Sequence, residues 1–301
     1  MSAPSSTTPK KQPLALPFQY QFAAGAIAGI TEILTLYPLD VVKTRQQLAT
    51  GKQVGMMATF KDIVGTEGFG RLYRGLVPPL MLEAPKRALK FAANDAWGKV
   101  YTNDGKTPMT QSLSILTGMS AGATESLIVT PFEGVKINLQ DKNSKYTGSM
   151  DVIRKVTAAS GPLGLYKGME ATFWRHVLWN GGYFGCIFSV RGMLPKADSK
   201  SEQLFNNFVA GAIGGFIGTT LNTPADVWKS RAQSMPAGQK IGWTFIEIGR
   251  IAKNEGVGAL YRGFTPKVLR LAPGGGVLLI VVEGVLSMFR TMLGPPYTES
   301  A

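Results

Sequence analysis

Three pairs of opposite charges recur at a fixed distance behind three prolines. Pro38, Pro131 and Pro224 are each followed by an acid two residues later and by a base five residues later. An acid and a base three residues apart share one face of a helix. Six such groups around an axis can close a ring of interhelical ion pairs, and exposed pairs contribute only about 0–1 kcal/mol each. Bonds this weak suit a gate that must open repeatedly. The plainer interpretation is that these charged residues lie at ordinary helix ends near water. The six residues are Asp40, Lys43, Glu133, Lys136, Asp226 and Lys229.

A glutamine stands nine residues after each of these prolines, at Gln47, Gln140 and Gln233. Because an amide side chain both donates and accepts hydrogen bonds, we expect these glutamines to brace the ion pairs. Each proline removes a backbone donor and clashes with the preceding turn, so it kinks its helix. Kinked helices can converge at one end, and the gate is expected there.

A second set of positions stands seven residues after a recurring aromatic–base–glycine signature. These positions are Leu82, Arg175 and Arg270. Equal offsets in equivalent repeats place the three residues at a similar depth. Two guanidinium groups on different helices suit a dianion, because guanidinium pairs with a carboxylate as a bidentate fork. The pattern predicts a binding site for a small dianion.

The neighbours of these positions refine the predicted site. Lys86 and Lys90 add positive charge from a third direction. His176 can donate a hydrogen bond to an oxo group or titrate near neutral pH. Glu83 either pairs with Lys86 or Arg87 and shapes the site, which is the plainer interpretation, or carries a coupled proton. Arg87 can point into the cavity or towards a neighbouring helix.

The sequence argues against an enzyme and against a metal or cofactor site. It contains no phosphate-binding loop, nucleophile–base pair or metal-ligand cluster. It has one cysteine and one histidine, so an internal disulfide is impossible. The net charge of +13 is spread over three equivalent segments, and no nucleic-acid-binding motif accompanies it. A nucleic acid partner is therefore disfavoured, and the charge favours an anionic membrane or small anionic substrates.

The elements that position these residues repeat with a period of 93 residues. We predict one body of three repeats, 18–108, 109–201 and 202–293, between tails at 1–17 and 294–301. Each repeat has two long apolar stretches, and about 20 apolar residues suffice to cross a membrane. The stretches are 20–42, 76–101, 112–137, 169–194, 204–228 and 265–293.

Charges inside the apolar stretches fall on one helical face, as a water-lined cavity requires. The sequence therefore predicts an all-α membrane protein with six transmembrane helices around a central water-filled cavity. Six lysine or arginine residues lie between the two long helices of each repeat, and the linkers between repeats hold fewer. The positive-inside rule places these three basic loops on the inner side and both termini on the opposite side.

The triplicate pattern resembles the mitochondrial carrier family. It consists of a proline, an acid two residues on, a base five on and a glutamine nine on, followed by acid–glycine and aromatic–base–glycine signatures, over residues 21–290. The resemblance implies short matrix helices between the long ones, alternating access, and a monomer in the inner membrane with both termini in the intermembrane space. It also implies the matrix-gate pairs Asp40–Lys136, Glu133–Lys229 and Asp226–Lys43.

Three finer stretches, 83–91, 170–180 and 270–276, resemble the 2-oxodicarboxylate carriers of this family, the fungal ones most closely. An arginine followed by a small polar residue, as in Arg175-His176, also resembles the keto-acid carriers. The resemblance implies counter-exchange of 2-oxoglutarate, 2-oxoadipate and related dicarboxylates. Citrate, oxaloacetate and simple dicarboxylates stay open as alternatives. A nonselective anion channel is the alternative of a different class, and a conditional ion-pair gate argues against it.

The resemblance implies a second gate, on the cytoplasmic side, which is incomplete in this sequence. Twenty residues past the signature glycines stand Asp95, Phe188 and Glu283, where the family tends to keep an acid. Three residues further stand Gly98, Arg191 and Leu286, where it tends to keep a base. Only Asp95 and Arg191 can pair, so we predict a weaker gate than the ring behind the prolines.

Cardiolipin is the lipid partner that the resemblance implies. Gly75, Gly168 and Gly263 follow a basic residue at a predicted helix start, where free backbone donors can bind phosphate. Gly148 lies at the start of a predicted matrix helix and is expected to supply a companion site.

Overall fold

The computed structural model describes residues 14–51, 54–195, 199–236, 239–295 and 297–298. Every regular element in these ranges is helical. The α-helices are α1 (Phe18–Leu48), α2 (Met56–Glu67), α3 (Val77–Thr102), α4 (Gln111–Gln140), α5 (Ser149–Ser160), α6 (Met169–Met193), α7 (Lys200–Ser234), α8 (Thr244–Glu255), α9 (Phe264–Leu269) and α10 (Leu271–Leu293). Short 3-10 segments cover Phe69–Tyr73, Pro162–Tyr166 and Val257–Tyr261.

All three repeats have the same order of elements: a long helix, a short helix, a 3-10 segment and a second long helix. The predicted long helices are present, and the short helices implied by the resemblance are α2, α5 and α8. In the third repeat the second long helix is divided into α9 and α10 at Arg270. Pro273 has no N–H to donate to the carbonyl of Leu269, the residue at which α9 ends.

The first long helix of each repeat ends three to six residues after its predicted apolar stretch. Helix α1 has 31 residues and α7 has 35, so at about 1.5 Å per residue each is longer than the roughly 30 Å of a bilayer core. Pro38, Pro131 and Pro224 lie inside α1, α4 and α7. The turns that follow them carry the charged residues of the predicted gate.

Hydropathy alone identifies fewer spans than the fold contains. Among the described helices, only α1 and the stretch Val257–Leu293 are long and apolar enough to be candidate membrane spans, with mean hydropathies of 1.5 and 1.8. Helix α3 illustrates the reason, since it carries six charged residues. Several of these charges line the interior of the bundle, where polar residues of a membrane protein are tolerated.

The six long helices pack side by side around a central axis. Helix α1 contacts α3 and α10, α4 contacts α3 and α6, and α7 contacts α6 and α10. The first long helices, α1, α4 and α7, also contact one another. Three buried apolar clusters attach the short helices and 3-10 segments to them, around Tyr37 and Ile63, around Val135 and Val152, and around Trp228 and Ile251. We call the end that carries these short helices the loop end.

Three repeat-related glycines allow close packing between successive repeats. Gly75, Gly168 and Gly263 have φ values of 79°, 74° and 78°, a conformation that other residues rarely adopt. A Cβ on Gly75 would lie 3.2 Å from the Lys136 carbonyl, and one on Gly263 would lie 3.0 Å from the Lys43 carbonyl. The requirement for glycine at these two positions therefore has a structural origin in backbone conformation and helix contact.

Candidate functional site

The six charged residues behind the prolines form a closed ring, which we call the ion-pair ring. It contains the three pairs that the resemblance implied. Lys136 Nζ lies 3.0 Å from Asp40 Oδ2, Lys229 Nζ lies 2.7 Å from Glu133 Oε2, and Lys43 Nζ lies 2.7 Å from Asp226 Oδ2. The side chain of Asp226 is fully buried, and the other five are at most 22% exposed. Water and salt screen these pairs less than the exposed pairs assumed from the sequence, and removing one partner would leave a buried charge unpaired at a cost of about 3–5 kcal/mol.

Each carboxylate of the ion-pair ring also contacts a second cation from the other long helix of a repeat. Arg270 Nη1 lies 2.5 Å from Asp40 Oδ1, Arg175 Nη2 lies 3.2 Å from both oxygens of Glu133, and Lys267 Nζ lies 3.2 Å from Asp226 Oδ2. Arg175 Nε also lies 3.7 Å from Asp226 Oδ1. The two arginines predicted to bind substrate are thus joined to the gate.

Sequence reasoning missed Lys267. It stands four residues after Gly263, where the other repeats have Pro79 and Thr172, so its charge does not recur with the repeat. Its ammonium group also donates to Asn222 Oδ1 at 2.5 Å. The one available signal was a lysine in the first turns of an apolar stretch, where an unpaired charge would be costly.

The prediction that every glutamine braces an ion pair is correct for Gln47 only. Gln47 Nε2 donates to Asp226 Oδ2 at 3.0 Å. Gln140 donates instead to the Tyr37 hydroxyl at 3.0 Å. Gln233 Nε2 lies 3.4 Å from the Thr172 hydroxyl. Both therefore donate to a neighbouring hydroxyl group and not to a carboxylate of the ring.

A cavity of about 340 Å³ lies against the ion-pair ring, inside the bundle. All eight residues of the predicted substrate site line it: Leu82, Glu83, Lys86, Arg87, Lys90, Arg175, His176 and Arg270. Its size falls at the lower end of the range for small-ligand pockets, roughly 300–1,000 Å³. The lining also includes Glu32, Asp40, Glu125, Glu133 and Lys136. The three positions predicted at equal depth, Leu82, Arg175 and Arg270, therefore line one common cavity.

Helix α3 contributes a compact charged group to this cavity. Glu83 is 4% exposed and lies 3.2 Å from Lys86 Nζ and 2.5 Å from Arg87 Nε, so the paired alternative describes its state here. A Cβ at Gly29 of α1 would collide with this Glu83–Arg87 pair. Lys90 makes no ion pair with any described residue, and its Nζ lies 6.0 Å from the centre of the Trp179 ring.

Helix α6 contributes Arg175 and His176, which touch each other. Arg175 Nη2 lies 2.6 Å from His176 Nε2. Because a guanidinium group only donates hydrogen bonds, Nε2 must accept, and the ring proton of the neutral histidine is on Nδ1. That nitrogen lies 3.7 Å from Glu125 Oε2 on α4. Glu125 thus meets His176, and Glu32, its repeat-related residue on α1, meets Arg270.

The opposite end of the bundle lacks a comparable described closure. Asp95 pairs with Lys99 of its own helix at 2.7 Å, and both side chains are more than 60% exposed. Glu283 is exposed and makes no ion pair with a described residue. The side chain of Arg191 lies outside the described part of the structure, so the Asp95–Arg191 pair stays a prediction.

The basic residue of each aromatic–base–glycine signature joins one repeat to the next at the loop end. Arg74 donates to the Tyr146 carbonyl, Lys167 donates to the Met235 carbonyl at 2.7 Å, and Arg262 donates to the carbonyls of Ala49 and Gly51. Burial lowers the pKa of the Lys167 ammonium group. These contacts hold the ends of the first long helices in place around the ion-pair ring.

The glycines of the predicted lipid sites lie at helix starts, as expected. Gly148, Gly168 and Gly263 immediately precede α5, α6 and α9, and Gly75 lies two residues before α3. The Arg74–Tyr146 hydrogen bond brings the segment before Gly148 next to that of Gly75. At the next repeat boundary, between α6 and α8, Glu170 Oε2 accepts a hydrogen bond from the N–H of Thr244 at 3.2 Å. A carboxylate therefore already occupies the start of α8.

Comparison with known proteins agrees with this architecture. Segments 15–105, 108–198 and 200–293 each match the family model described as mitochondrial carrier protein. The chain is 57% identical to the mitochondrial citrate transporter D of Aspergillus niger, over 93% of this chain and 97% of that protein. It is 49% identical to the mitochondrial 2-oxodicarboxylate carrier 2 of Saccharomyces cerevisiae, over 97% and 99%. It is 37% identical to the mitochondrial 2-oxodicarboxylate carrier of Mus musculus, over 87% and 92%. The chain belongs to the mitochondrial carrier family, and it is therefore a multi-pass transporter of the mitochondrial inner membrane and not an enzyme.

Proposed function

We propose that this protein is an antiporter that exchanges 2-oxodicarboxylates, such as 2-oxoglutarate and 2-oxoadipate, by alternating access. One observation carries the proposal: guanidinium groups from two different helices, Arg175 and Arg270, meet in one cavity that lies directly against a closed gate. Relatives named 2-oxodicarboxylate carriers in fungi, Dictyostelium and mammals support this substrate class.

The same contacts suggest how substrate binding opens the ion-pair ring. Arg270 holds Asp40 and Arg175 holds Glu133 in this structure. The two carboxylates of a substrate would compete for the same guanidinium groups, which have several donors in a fixed fork. Asp40 and Glu133 would then keep only their lysine partners. The gate would weaken only while a dianion is bound, which makes exchange obligatory and disfavours an open channel.

We propose that the loop end faces the matrix and that both termini lie in the intermembrane space. The six basic residues between the long helices of each repeat support this orientation. The ion-pair ring is then the matrix gate, and the state described is closed towards the matrix. The cytoplasmic gate consists of Asp95 with Arg191, and Glu283 has no basic partner at its repeat-related position. Because the matrix gate has three ion pairs and the cytoplasmic gate has one, the substrate-free protein favours the state that is open to the cytoplasm.

Citrate is a second candidate substrate. The relative from Aspergillus niger, at 57% identity, is named a citrate transporter. The cavity also offers a third cationic direction, since Lys86 and Lys90 on α3 face it together with Arg175 and Arg270. A third carboxylate could pair with Lys90, which has no carboxylate partner among the described residues.

We also propose that the protein works as a monomer with cardiolipin at its repeat boundaries. The central cavity needs no second copy, because one chain lines it. The Gly75–Gly148 boundary offers the starts of α3 and α5 to one phosphate-bearing headgroup.

Transport into liposomes tests the exchange and the substrate class. Purified protein is reconstituted with or without internal 2-oxoglutarate, and uptake of labelled 2-oxoglutarate is measured, with unlabelled citrate, malate or ADP as competitors. We expect uptake only into loaded liposomes and competition by dicarboxylates but not by ADP. Equal uptake into empty liposomes would contradict exchange, and a preference for citrate over 2-oxoglutarate would move the protein to the second candidate.

A further inference from the structure

The cavity contains one carboxylate without a cation partner. Glu125 is 9% exposed and makes no hydrogen bond to another described residue. Nδ1 of the neutral His176 lies 3.7 Å from its Oε2. The other lining carboxylates each lie within 3.3 Å of a lysine or arginine. They are Glu32, Asp40, Glu83 and Glu133.

The charge balance of the lining makes this carboxylate important. Six described lining residues are cations: Lys86, Arg87, Lys90, Lys136, Arg175 and Arg270. Five are carboxylates: Glu32, Asp40, Glu83, Glu125 and Glu133. With His176 neutral, the lining has an excess of one positive charge. A bound dianion adds two negative charges to this poorly solvated space, and a proton on the carboxylate that has no cation partner would offset one of them.

We infer that Glu125 is the proton-binding site of this carrier and that one proton crosses the membrane together with each substrate dianion. The inference rests on the proposed exchange of dicarboxylates and extends it to a co-transported ion. The proton comes from the solution on the open side and binds to a carboxylate oxygen of Glu125. It stays there while the gates change and leaves to the solution on the other side.

The neighbours of Glu125 explain why proton and substrate bind together. The charged groups around it are Lys86 and Lys90 on α3, Arg175 on α6 and Glu133 on its own helix. In the empty cavity these cations favour the ionised carboxylate. A dianion that pairs with Arg175 and Arg270 withdraws the effect of Arg175 and adds negative charge near Glu125, so substrate binding favours protonation of Glu125. By reciprocity, a proton on Glu125 must tighten substrate binding.

His176 takes part in this coupling as a positioning residue. While Arg175 donates to Nε2, the imidazole cannot accept a proton there, and its Nδ1–H faces Glu125. When the guanidinium turns to a substrate carboxylate, Nε2 is released. The ligand carboxylate then replaces the imidazole as the partner of Arg175. The Nδ1–H of His176 still faces Glu125.

Counting protons during binding tests the inference. Calorimetric titration of the purified protein with 2-oxoglutarate at pH 7, in buffers of different ionisation enthalpy, gives the number of protons taken up per ligand. The ligand carboxyl groups are already ionised at this pH, so the protons bind to the protein. We expect uptake approaching about one proton for the wild type. Glu125→Gln should bind 2-oxoglutarate with no proton uptake. Asp62→Asn is the control, because Asp62 is an exposed carboxylate outside the cavity that pairs with Lys142, and it should keep the uptake.

The exchange rate gives a second, independent measurement. With equal pH on both sides of the liposome, wild-type exchange of 2-oxoglutarate should slow as pH rises from 6 to 9, and Glu125→Gln should lose this dependence. Binding without proton uptake by the wild type, or a flat pH profile, would overturn the inference even if a variant failed to fold. Absence of 2-oxoglutarate binding would instead contradict the proposed function itself.

Discussion

Arg270 and Asp40 are joined by a contact of 2.5 Å between Nη1 and Oδ1, across 230 positions of the chain. One residue belongs to the cavity and the other to the ion-pair ring. The second nitrogen of the guanidinium group lies 3.3 Å from Glu32. A change in the position of Arg270 therefore changes the number of partners of a gate residue. This direct connection between cavity and gate is the basis of the first prediction.

Replacing Arg270 with alanine should abolish exchange without unfolding the protein. One substrate carboxylate would stay unpaired in a poorly solvated site, which costs about 2–5 kcal/mol. This cost corresponds to a loss of at least about 30-fold in the transport rate. Initial rates of 2-oxoglutarate exchange in liposomes measure the loss. Arg154→Ala on the exposed face of α5 is the matched control and should transport normally. Near-normal exchange by Arg270→Ala would remove this residue from the substrate site.

Exchanging the charges of the Asp40–Lys136 pair should recover only part of the stability that a single charge reversal removes. Lys136→Glu should destabilise the protein by about 3–5 kcal/mol, because two carboxylates would then meet inside the ring. The double change Asp40→Lys with Lys136→Glu should recover some of this loss. Recovery should be incomplete because the new lysine would face Arg270.

Thermal unfolding of both single variants and the double variant in one lipid measures this coupling. The exposed Lys142–Asp62 pair, at 3.4 Å, is the control, and its reversal should change stability by about 0–1 kcal/mol. If the losses of the two single changes simply add in the double variant, Asp40 and Lys136 are not partners.

Replacing Lys267 with methionine should destabilise the gate although the residue is absent from the threefold motif. Asp226 is fully buried and would lose one of the two lysines that contact it. We expect a loss of about 1.5–3 kcal/mol, as for other hydrogen bonds to buried charges. Thermal unfolding measures it, with Lys253→Met on the exposed face of α8 as the control. An unchanged unfolding temperature would show that Lys43 and Gln47 satisfy Asp226 alone.

The loop end should lose stability in acid through Glu255. Hydrogen bonds from Arg231 hold the pKa of this carboxyl below its ordinary value of 4.5. A carboxyl group whose pKa is lowered in the folded state contributes its full stabilisation at pH values above its ordinary pKa. This stabilisation disappears as pH falls through the lowered pKa. Unfolding temperatures measured from pH 7 down to pH 3 should fall less steeply for Glu255→Gln than for the wild type. Glu247→Gln, whose partner Arg250 is 66% exposed, is the control and should follow the wild-type profile.

The repeat made much of this site predictable from the sequence. Spacings of three residues behind Pro38, Pro131 and Pro224 put an acid and a base on one face, and the 93-residue period placed three such faces at one level. The same period placed Arg175 and Arg270 at one depth with Leu82. Because pseudo-symmetric repeats fold alike, residues in equal register meet around the axis without any knowledge of the contacts.

Only the tertiary structure decided the contacts that break the symmetry. Lys267 pairs with Asp226, Gln140 with Tyr37, and Glu125 meets a histidine where Glu32 meets an arginine. Repeated spacing does not predict these contacts, because Lys267 has no charged counterpart in the other repeats, and Gln140 and Glu125 have different partners from their repeat-related residues. Their partners are chosen by the distances between side chains on neighbouring helices, which local spacing along the chain does not contain.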